Sequence, residues 1–404
     1  MKKIELLAPA GDKERMLAAI HFGADAIYFA GKKYGLRAFA GNFELDEIKE
    51  AVELCHSHNV KAYITLNILA HNIDFEGLIE YIKYLESVHV DGVIVSDLGI
   101  ATYVKKYSNI SLHVSTQANV TNKETALIWK SLGADRLVLA RELSIKEIKE
   151  IKEAVGDEVE IETFVHGAMC VSYSGRCLLS NYLTNRDSNK GACAQPCRWE
   201  YTLLRKRLND EGEDYIPIEE DERGTYILNS QDLCLVNYIK ELVDAGISSL
   251  KIEGRMKTAY YVGSVVNTYR RAIDNFYNNK EADFNYVEEL EKTSNRSFTT
   301  GFYFEKQNSI NLESSKYQQT HEFVAVVLED SKDGYVLVEQ RNKFSKGEEL
   351  EILSTGESFN KTFIVDEIID ENNEVIYVVK RVQQHVKLKL DYPLFKGDIL
   401  RRKI

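Results

Sequence analysis

The stretch "IELLAPAGDKERMLAAIHFGADAIYFA", Ile4–Ala30, decides the reading of the fold. It opens on an apolar run that fits a strand buried on both faces. Asp12 then stands where a helix N-cap is expected. Met16, Ala19 and Ile20 recur at helical spacing on one face, and Gly23 stops the helix before "AIYFA" resumes the strand pattern. This is one strand–helix–strand unit, and it recurs. Strand-like runs follow at "AYITLN" (Ala62–Asn67), "GVIVSD" (Gly92–Asp97), "LHVSTQ" (Leu112–Gln117), "RLVLARE" (Arg136–Glu142), "EIETFVHG" (Glu160–Gly167) and "SLKIEG" (Ser249–Gly254). Glycine stops precede two of them, in "LGADRLVL" and "AGISSLKI". With Ile4–Pro9 and Ala26–Ala30 the strands number eight, which predicts an α/β chain folded as a (β/α)8 TIM-like barrel. A doubly wound open sheet is the alternative. Neither G-x-G-x-x-G nor G-x-x-x-x-G-K-[ST] occurs, so nothing supports a dinucleotide or P-loop site.

The regular pattern breaks after strand seven. An insertion at about residues 168–228 carries the cysteine-rich segment and an acidic stretch, "NDEGEDYIPIEEDERG" (Asn209–Gly224), that reads as a solvated loop. "DLCLVNYIKELVDAG" then reads as a helix beginning near Cys234. The last barrel helix, "TAYYVGSVVNTYRRAIDNFY", closes a first domain over residues 1–310. Alternating short runs over 321–404 predict a small C-terminal antiparallel β-barrel.

The 404 residues comfortably hold two domains. The formal charge of −12 argues against a general nucleic-acid binder while leaving room for a local basic patch. No secretory leader is read at the start, and no window approaches the roughly 20 apolar residues of a membrane span. A cytoplasmic protein is therefore expected. In that reducing compartment clustered thiols suit metals or redox groups better than disulfides.

Chemistry in such a barrel sits at the C-terminal strand ends. Those ends carry Asn67, Asp97, Thr116, Gln117, Arg141, Glu142, His166, Glu253 and Arg255. His166, Glu253 and Arg255 are the catalytic candidates. Asn67, Gln117 and Arg141, with Arg37 from the basic, aromatic loop "FAGKKYGLRAFAGNF" (Phe29–Phe43), are the substrate-binding candidates. Arginine offers a fixed fork of donors for a carboxylate or phosphate. The bland readings are loop-backbone partners for Asn67 and Gln117 and a structural ion pair for Arg141 with Glu142.

Cys170, Cys177, Cys193 and Cys197 are spaced C-x6-C-x15-C-x3-C, and Cys234 follows in "NSQDLC". Structural zinc favours tight C-x2–4-C knuckles, and only Cys193–Cys197 is tight. Loose thiols suit an iron–sulfur cluster better than one small ion, with zinc as the substitute occupant. Four places and five candidates leave Cys197 or Cys234 as the fourth ligand. Cys55, at a core spacing in "DEIKEAVELCHSHNV", reads as a buried inert thiol.

"ETFVHGAMCVSYSGRCLLSNYLTNRD" (Glu162–Asp187), with "LLAPAGD", "NSQDLC" and "LKIEGRMK", resembles the signature of the collagenase-like peptidase family U32 over nearly the whole chain. Within the family the chain looks most similar to the branch that hydroxylates tRNA. The resemblance implies 5-hydroxyuridine formation at a wobble uridine, a requirement for prephenate, and a cluster, 4Fe–4S in type, held by Cys170, Cys177, Cys193 and either Cys197 or Cys234. It implies tRNA as partner, with a flipped-out uridine entering the barrel mouth. The basic segments "KRVQQHVKLKL" and "LFKGDILRRKI" are then expected to touch the tRNA backbone, with Arg401, Arg402 and Lys403 as the residues to neutralise. A peptidase and a zinc-stabilised RNA-binding module are the alternatives.

Overall fold

The computed structural model describes residues 3–35, 41–169, 179–184, 186, 193–196, 199, 204–205, 216–217, 231–304 and 317–404. Seven strands alternate with helices from the start of the chain. They are β1 (Glu5–Pro9), α1 (Lys13–His21), β2 (Ala26–Phe29), α2 (Leu45–Ser57), β3 (Lys61–Leu66), α3 (Leu78–Ser87), β4 (Gly92–Val95), α4 (Leu98–Tyr107), β5 (Ser111–Val114), α5 (Lys123–Ser131), β6 (Arg136–Val138), α6 (Ile145–Val155) and β7 (Glu160–Ala168). The first helix starts where predicted, with Asp12 accepting from Arg15 N–H; α6 is capped by Ser144 in a reciprocal capping box with Glu147.

After β7 come α7 (Leu179–Thr184), a two-strand hairpin of β8 (Leu204–Arg205) and β9 (Ile216–Pro217), then β10 (Asp232–Cys234), α8 (Ile239–Asp244), β11 (Ser249–Ile252), α9 (Ala259–Tyr277), α10 (Tyr286–Leu290) and β12 (Phe298–Thr299). Strands β1 to β7 pair in parallel and in sequence order, and β11 pairs with both β7 and β1, which closes the eight-stranded barrel. Its interior is a small apolar set of Leu7, Ala26, Tyr28, Tyr63 and Ile94, set apart from the large core between strands and helices. Below that set lies a buried ion network: Arg136 donates to Glu5 at 2.6 Å, to Glu162 at 3.0 Å and to Glu160, and Lys251 donates to Glu162 at 2.7 Å.

The segment around Cys234 differs from expectation. Asp232–Cys234 is a strand, antiparallel to β7 with Cys234 opposite His166; a 3-10 turn follows at Val236–Tyr238, and the α-helix begins only at Ile239. A buried Arg296–Asp232 pair, at 2.6 Å, fixes the strand, and Tyr269 accepts the Leu235 N–H at 3.1 Å. Leu233 and Leu235 are wholly enclosed, so tertiary packing overrides the helical pattern.

The C-terminal region holds β13 (His321–Val327), β14 (Tyr335–Gln340), β15 (Phe344–Ser345), β16 (Glu349–Leu353), β17 (Thr362–Ile364), β18 (Ile368–Ile369), β19 (Val378–Val379), β20 (His385–Lys389) and β21 (Ile399–Lys403). Seven of these form a curled antiparallel sheet, in the order β17-β16-β21-β13-β14-β20-β18, around their own apolar core; β15 and β19 make a separate ribbon. Helix α9 is buried on nearly every face because it lies between the barrel and this region. Tyr260 stacks on Phe323, and Arg271 donates to the carbonyls of Ser354, Thr355 and Gly356.

Candidate functional site

The ends of β6, β7 and β11 converge at the barrel mouth. Arg141 lays its guanidinium over the Phe164 ring, 4.0 Å from the centroid, donates to Ala168 O at 2.6 Å, and stands 3.8 Å from the Glu253 carboxylate. Its Nε is buried and, among the described residues, has no partner. Lys251 lies 5.5 Å from the centre of the same ring and 4.4 Å from that of Tyr28. A column thus runs up the barrel from the Glu162–Lys251 pair through Phe164 to Arg141 and Glu253. Cation–ring contacts of this kind hold a guanidinium without exhausting its donors.

On the β3–β5 side, Ser115 is the common point. Asn67 Nδ2 donates to Ser115 Oγ at 3.4 Å, and the Gln117 N–H donates to the same oxygen at 3.2 Å. Arg255 is enclosed and donates to Asn42 Oδ1 at 2.5 Å. Arg37 lies outside the described residues. Asp97 caps α4 through the Ile100 N–H. Phe164, Ser115 and Tyr28 were not singled out in the sequence. Only the inward alternation of their strands could have marked them.

His166 takes a different position from the one expected of a mouth residue. The β7–β11 register slips between Lys251 and Ile252, so Val165 is an extra residue and His166 leaves the inward-facing row. Its ring is walled in by Tyr261, Tyr269 and Phe298, with centroids 6.0, 5.6 and 5.5 Å away. Burial, reinforced by Lys257 and opposed by Asp232, takes its pKa down to about 3, so the imidazole is neutral. Gly167 follows at φ +106°; a Cβ there would lie 2.6 Å from the Glu253 carbonyl oxygen. The strand end therefore has room only for glycine.

Of the five cysteines expected to hold a cluster, Cys170, Cys177 and Cys197 lie outside the described residues. Cys193 Sγ accepts the Gln195 N–H at 3.3 Å, and Gln195 takes the left-handed conformation, φ +56°, that aims this donor. Cys234 is buried beside Tyr269, and burial pushes its thiol up to about 11. It would release its proton to a metal rather than to water. Cys234 thus sets one enclosed thiol on the strand paired with β7, and Cys193 is the other described candidate, its sulfur already accepting an N–H. Cys55 is different: it is fully enclosed in α2, pushed up to about 12 by burial, and packed on Met16, as a core thiol.

The basic tail does not stand as expected. Arg401 is wholly buried and donates to both oxygens of Glu289, at 2.6 and 3.0 Å, and to Glu351 at 2.7 Å. Arg402 pairs with Glu322 and Glu348. "HVKLK" (His385–Lys389) is strand β20, with Val386 and Leu388 buried and Lys387 and Lys389 exposed. Alternation on a strand paired on both sides, by β14 and β18, explains these lysines. Arg401 is thus unavailable to an RNA backbone.

A closed parallel barrel with its polar side chains and a thiol-bearing segment at the C-terminal strand ends, joined to a curled antiparallel domain, defines a (β/α)8-barrel protein of the enzyme type. The chain belongs to peptidase family U32: the family profile matches residues 11–313, and that of the family's C-terminal domain matches 319–401. It is 41% identical over 415 residues to the tRNA hydroxylation protein P1 of Bacillus subtilis, spanning 99% of this chain and 95% of that one. It is 34% identical to the tRNA hydroxylation protein P of Escherichia coli, over 90% and 88% of the two chains. A collagenase of Porphyromonas gingivalis is 35% identical over 74% of this chain and 73% of its own. No helix among the described residues is long and apolar enough to cross a membrane.

Proposed function

We propose that this chain is a tRNA-modifying enzyme that converts the wobble uridine to 5-hydroxyuridine, depends on prephenate, and holds an iron–sulfur cluster through four of Cys170, Cys177, Cys193, Cys197 and Cys234. The observation that carries the reading is end-to-end similarity to a tRNA hydroxylation protein, covering barrel and C-terminal domain alike. When bound, such a cluster supplies electron transfer at the barrel mouth. The chain's own residues do the rest. Arg141, backed by Phe164 and steadied by Glu253, presents a guanidinium to a carboxylate of the small anion. Asn67 and Gln117 stand across the mouth around Ser115, where amide groups can read the edge of a flipped pyrimidine. His166, neutral and enclosed, supports the strand that carries Gly167 rather than exchanging protons with substrate.

The test is twofold. Protein purified without air should contain iron and acid-labile sulfide in equal amounts, and tRNA from cells lacking this chain should lose 5-hydroxyuridine until the chain is restored. Arg141→Ala should restore the cluster but not the nucleoside. Zinc without sulfide, with the nucleoside unchanged, would overturn the reading. The collagenase among the relatives keeps one rival open to measurement: cleavage of gelatin by the pure protein that survives loss of iron would favour a peptidase.

A further inference from the structure

Arg401 is buried and Arg402 is paired with Glu322 and Glu348, so of the two basic segments it is the start of the first, at Lys380 and Arg381, that remains open to a partner. These two residues adjoin the β15–β19 ribbon. Its register pairs Phe344 with Val379 and Ser345 with Val378, so one step further sets Lys343 across from Lys380. Both are exposed, and among the described residues neither has an ion-pair partner. Like charges directly opposite across a ribbon repel. Arg381 and Val382, the latter 89% exposed, follow in the adjoining turn, and Tyr377, on the other side of β19, is 70% exposed. Exposed cations at one end of the ribbon and an exposed aromatic ring at the other offer counter-charge to a phosphate backbone and a stacking surface to an unstacked base.

The ribbon also has a definite place. Helix α1 starts at the barrel mouth, directly after β1, and runs to the opposite end. Arg341 pairs with Glu14 in its first turn at 2.9 Å, and Asp398 meets His21 in its last turn at 2.7 Å. The C-terminal domain is therefore strapped along α1, with the 341–343 side at the mouth. Residues Lys332 and Lys396 lie toward the other end: Ser331 N–H donates to Leu394 O at 2.8 Å, and Gly397 packs against His21.

We infer that the Lys343–Lys380 ribbon, with Arg381 and Tyr377, is an RNA-backbone docking lip beside the barrel mouth, which grips the tRNA body while the target nucleotide enters the barrel. This rests on the tRNA reading above. The experiment compares an unmodified tRNA transcript binding to the wild type, to Lys343→Ala/Lys380→Ala, and to Lys332→Ala/Lys396→Ala, across a salt series. The ribbon pair should bind about tenfold to thirtyfold more weakly at about 0.1 M salt, with the salt slope reduced by about two. The control pair should match the wild type. Unchanged binding by the ribbon pair overturns the lip while leaving the tRNA reading standing. Equal losses in both pairs also overturn it, as a general charge effect. No binding by the wild type removes both. Both lysine pairs are exposed, so each variant should fold, and equal thermal midpoints would establish that.

Discussion

Arg136 and Arg401 are both almost wholly enclosed, with side-chain exposures of 3% and 0%, and both are bonded to carboxylates from other elements. Their settings differ. Arg136 lies inside the barrel, where Glu5, Glu160 and Glu162 from β1 and β7 all point at one guanidinium. Burial alone would raise the pKa of Glu5, but Arg136 draws it below its ordinary value. Arg401 lies between two folding units: it ties Glu289 of α10 to Glu351 of β16, and Lys292 bonds the same two carboxylates at 2.9 and 2.7 Å. One network has a single guanidinium at its centre, with Lys251 and Lys61 each holding only one of its carboxylates. The other has two cations sharing the load. An arginine's meaning thus depends on the carboxylates folding brings to it, not on the charge of its neighbours in sequence.

That difference should appear as a difference in cost. Arg136→Met leaves three carboxylates around one vacated position, and breaking a buried network of this type costs about 3–5 kcal/mol. Urea unfolding would measure it, and a loss under about 1 kcal/mol would mean that water already reaches these carboxylates. Arg401→Met leaves Lys292 in place, so the expected loss is smaller, about 2–3 kcal/mol, the scale of hydrogen bonds to charged groups. Its signature should be local. Hydrogen exchange should accelerate in α10, β16 and β21 while the barrel strands stay protected. Equal acceleration in the barrel would show that the two units unfold as one.

The same contrast marks what the sequence could show. Barrel strands were legible because each is a continuous apolar run closed by a polar end, and because glycine stops recur before them. The mouth residues Asn67, Gln117, Arg141 and Glu253 followed from topology alone. Cys234 was misplaced because "DLCLVNYIKEL" has helical spacing, while the pull toward a strand comes from Arg296 and Tyr269, far along the chain. His166 was read as a mouth residue because a one-residue register slip leaves no mark in the sequence. Arg401 looked like a surface cation because its partners, Glu289 and Glu351, lie 112 and 50 residues away.

Inside the barrel the network also sets a pH response. His113 is buried, bonded through Nε2 to Ser111 Oγ at 3.1 Å, and held well below its ordinary pKa, first by burial and then by Arg136 and Lys251. Below about pH 6.5 the unfolded chain takes up this proton and the folded chain does not, so stability rises with pH through that window and falls on acidification. The slope is at most about 1.4 kcal/mol per pH unit. Between about pH 6.5 and pH 5, the wild type should therefore lose up to about 2 kcal/mol more than His113→Gln. Parallel stability curves for the two would mean that the barrel interior admits the charge.

The smallest effect belongs at the seam's outer edge. Arg402 is a quarter exposed and pairs with Glu322 and Glu348, themselves 27% and 31% exposed. Water screens such pairs, and they contribute about 0–1 kcal/mol. Arg402→Ala should therefore shift stability by less than Arg401→Met, although the two residues are adjacent in the chain. It should also leave tRNA affinity unchanged, because its donors are already committed to carboxylates. A loss of affinity matching that of Lys343→Ala/Lys380→Ala would show that these carboxylates release Arg402 when RNA arrives. The docking lip would then extend from the ribbon onto β21.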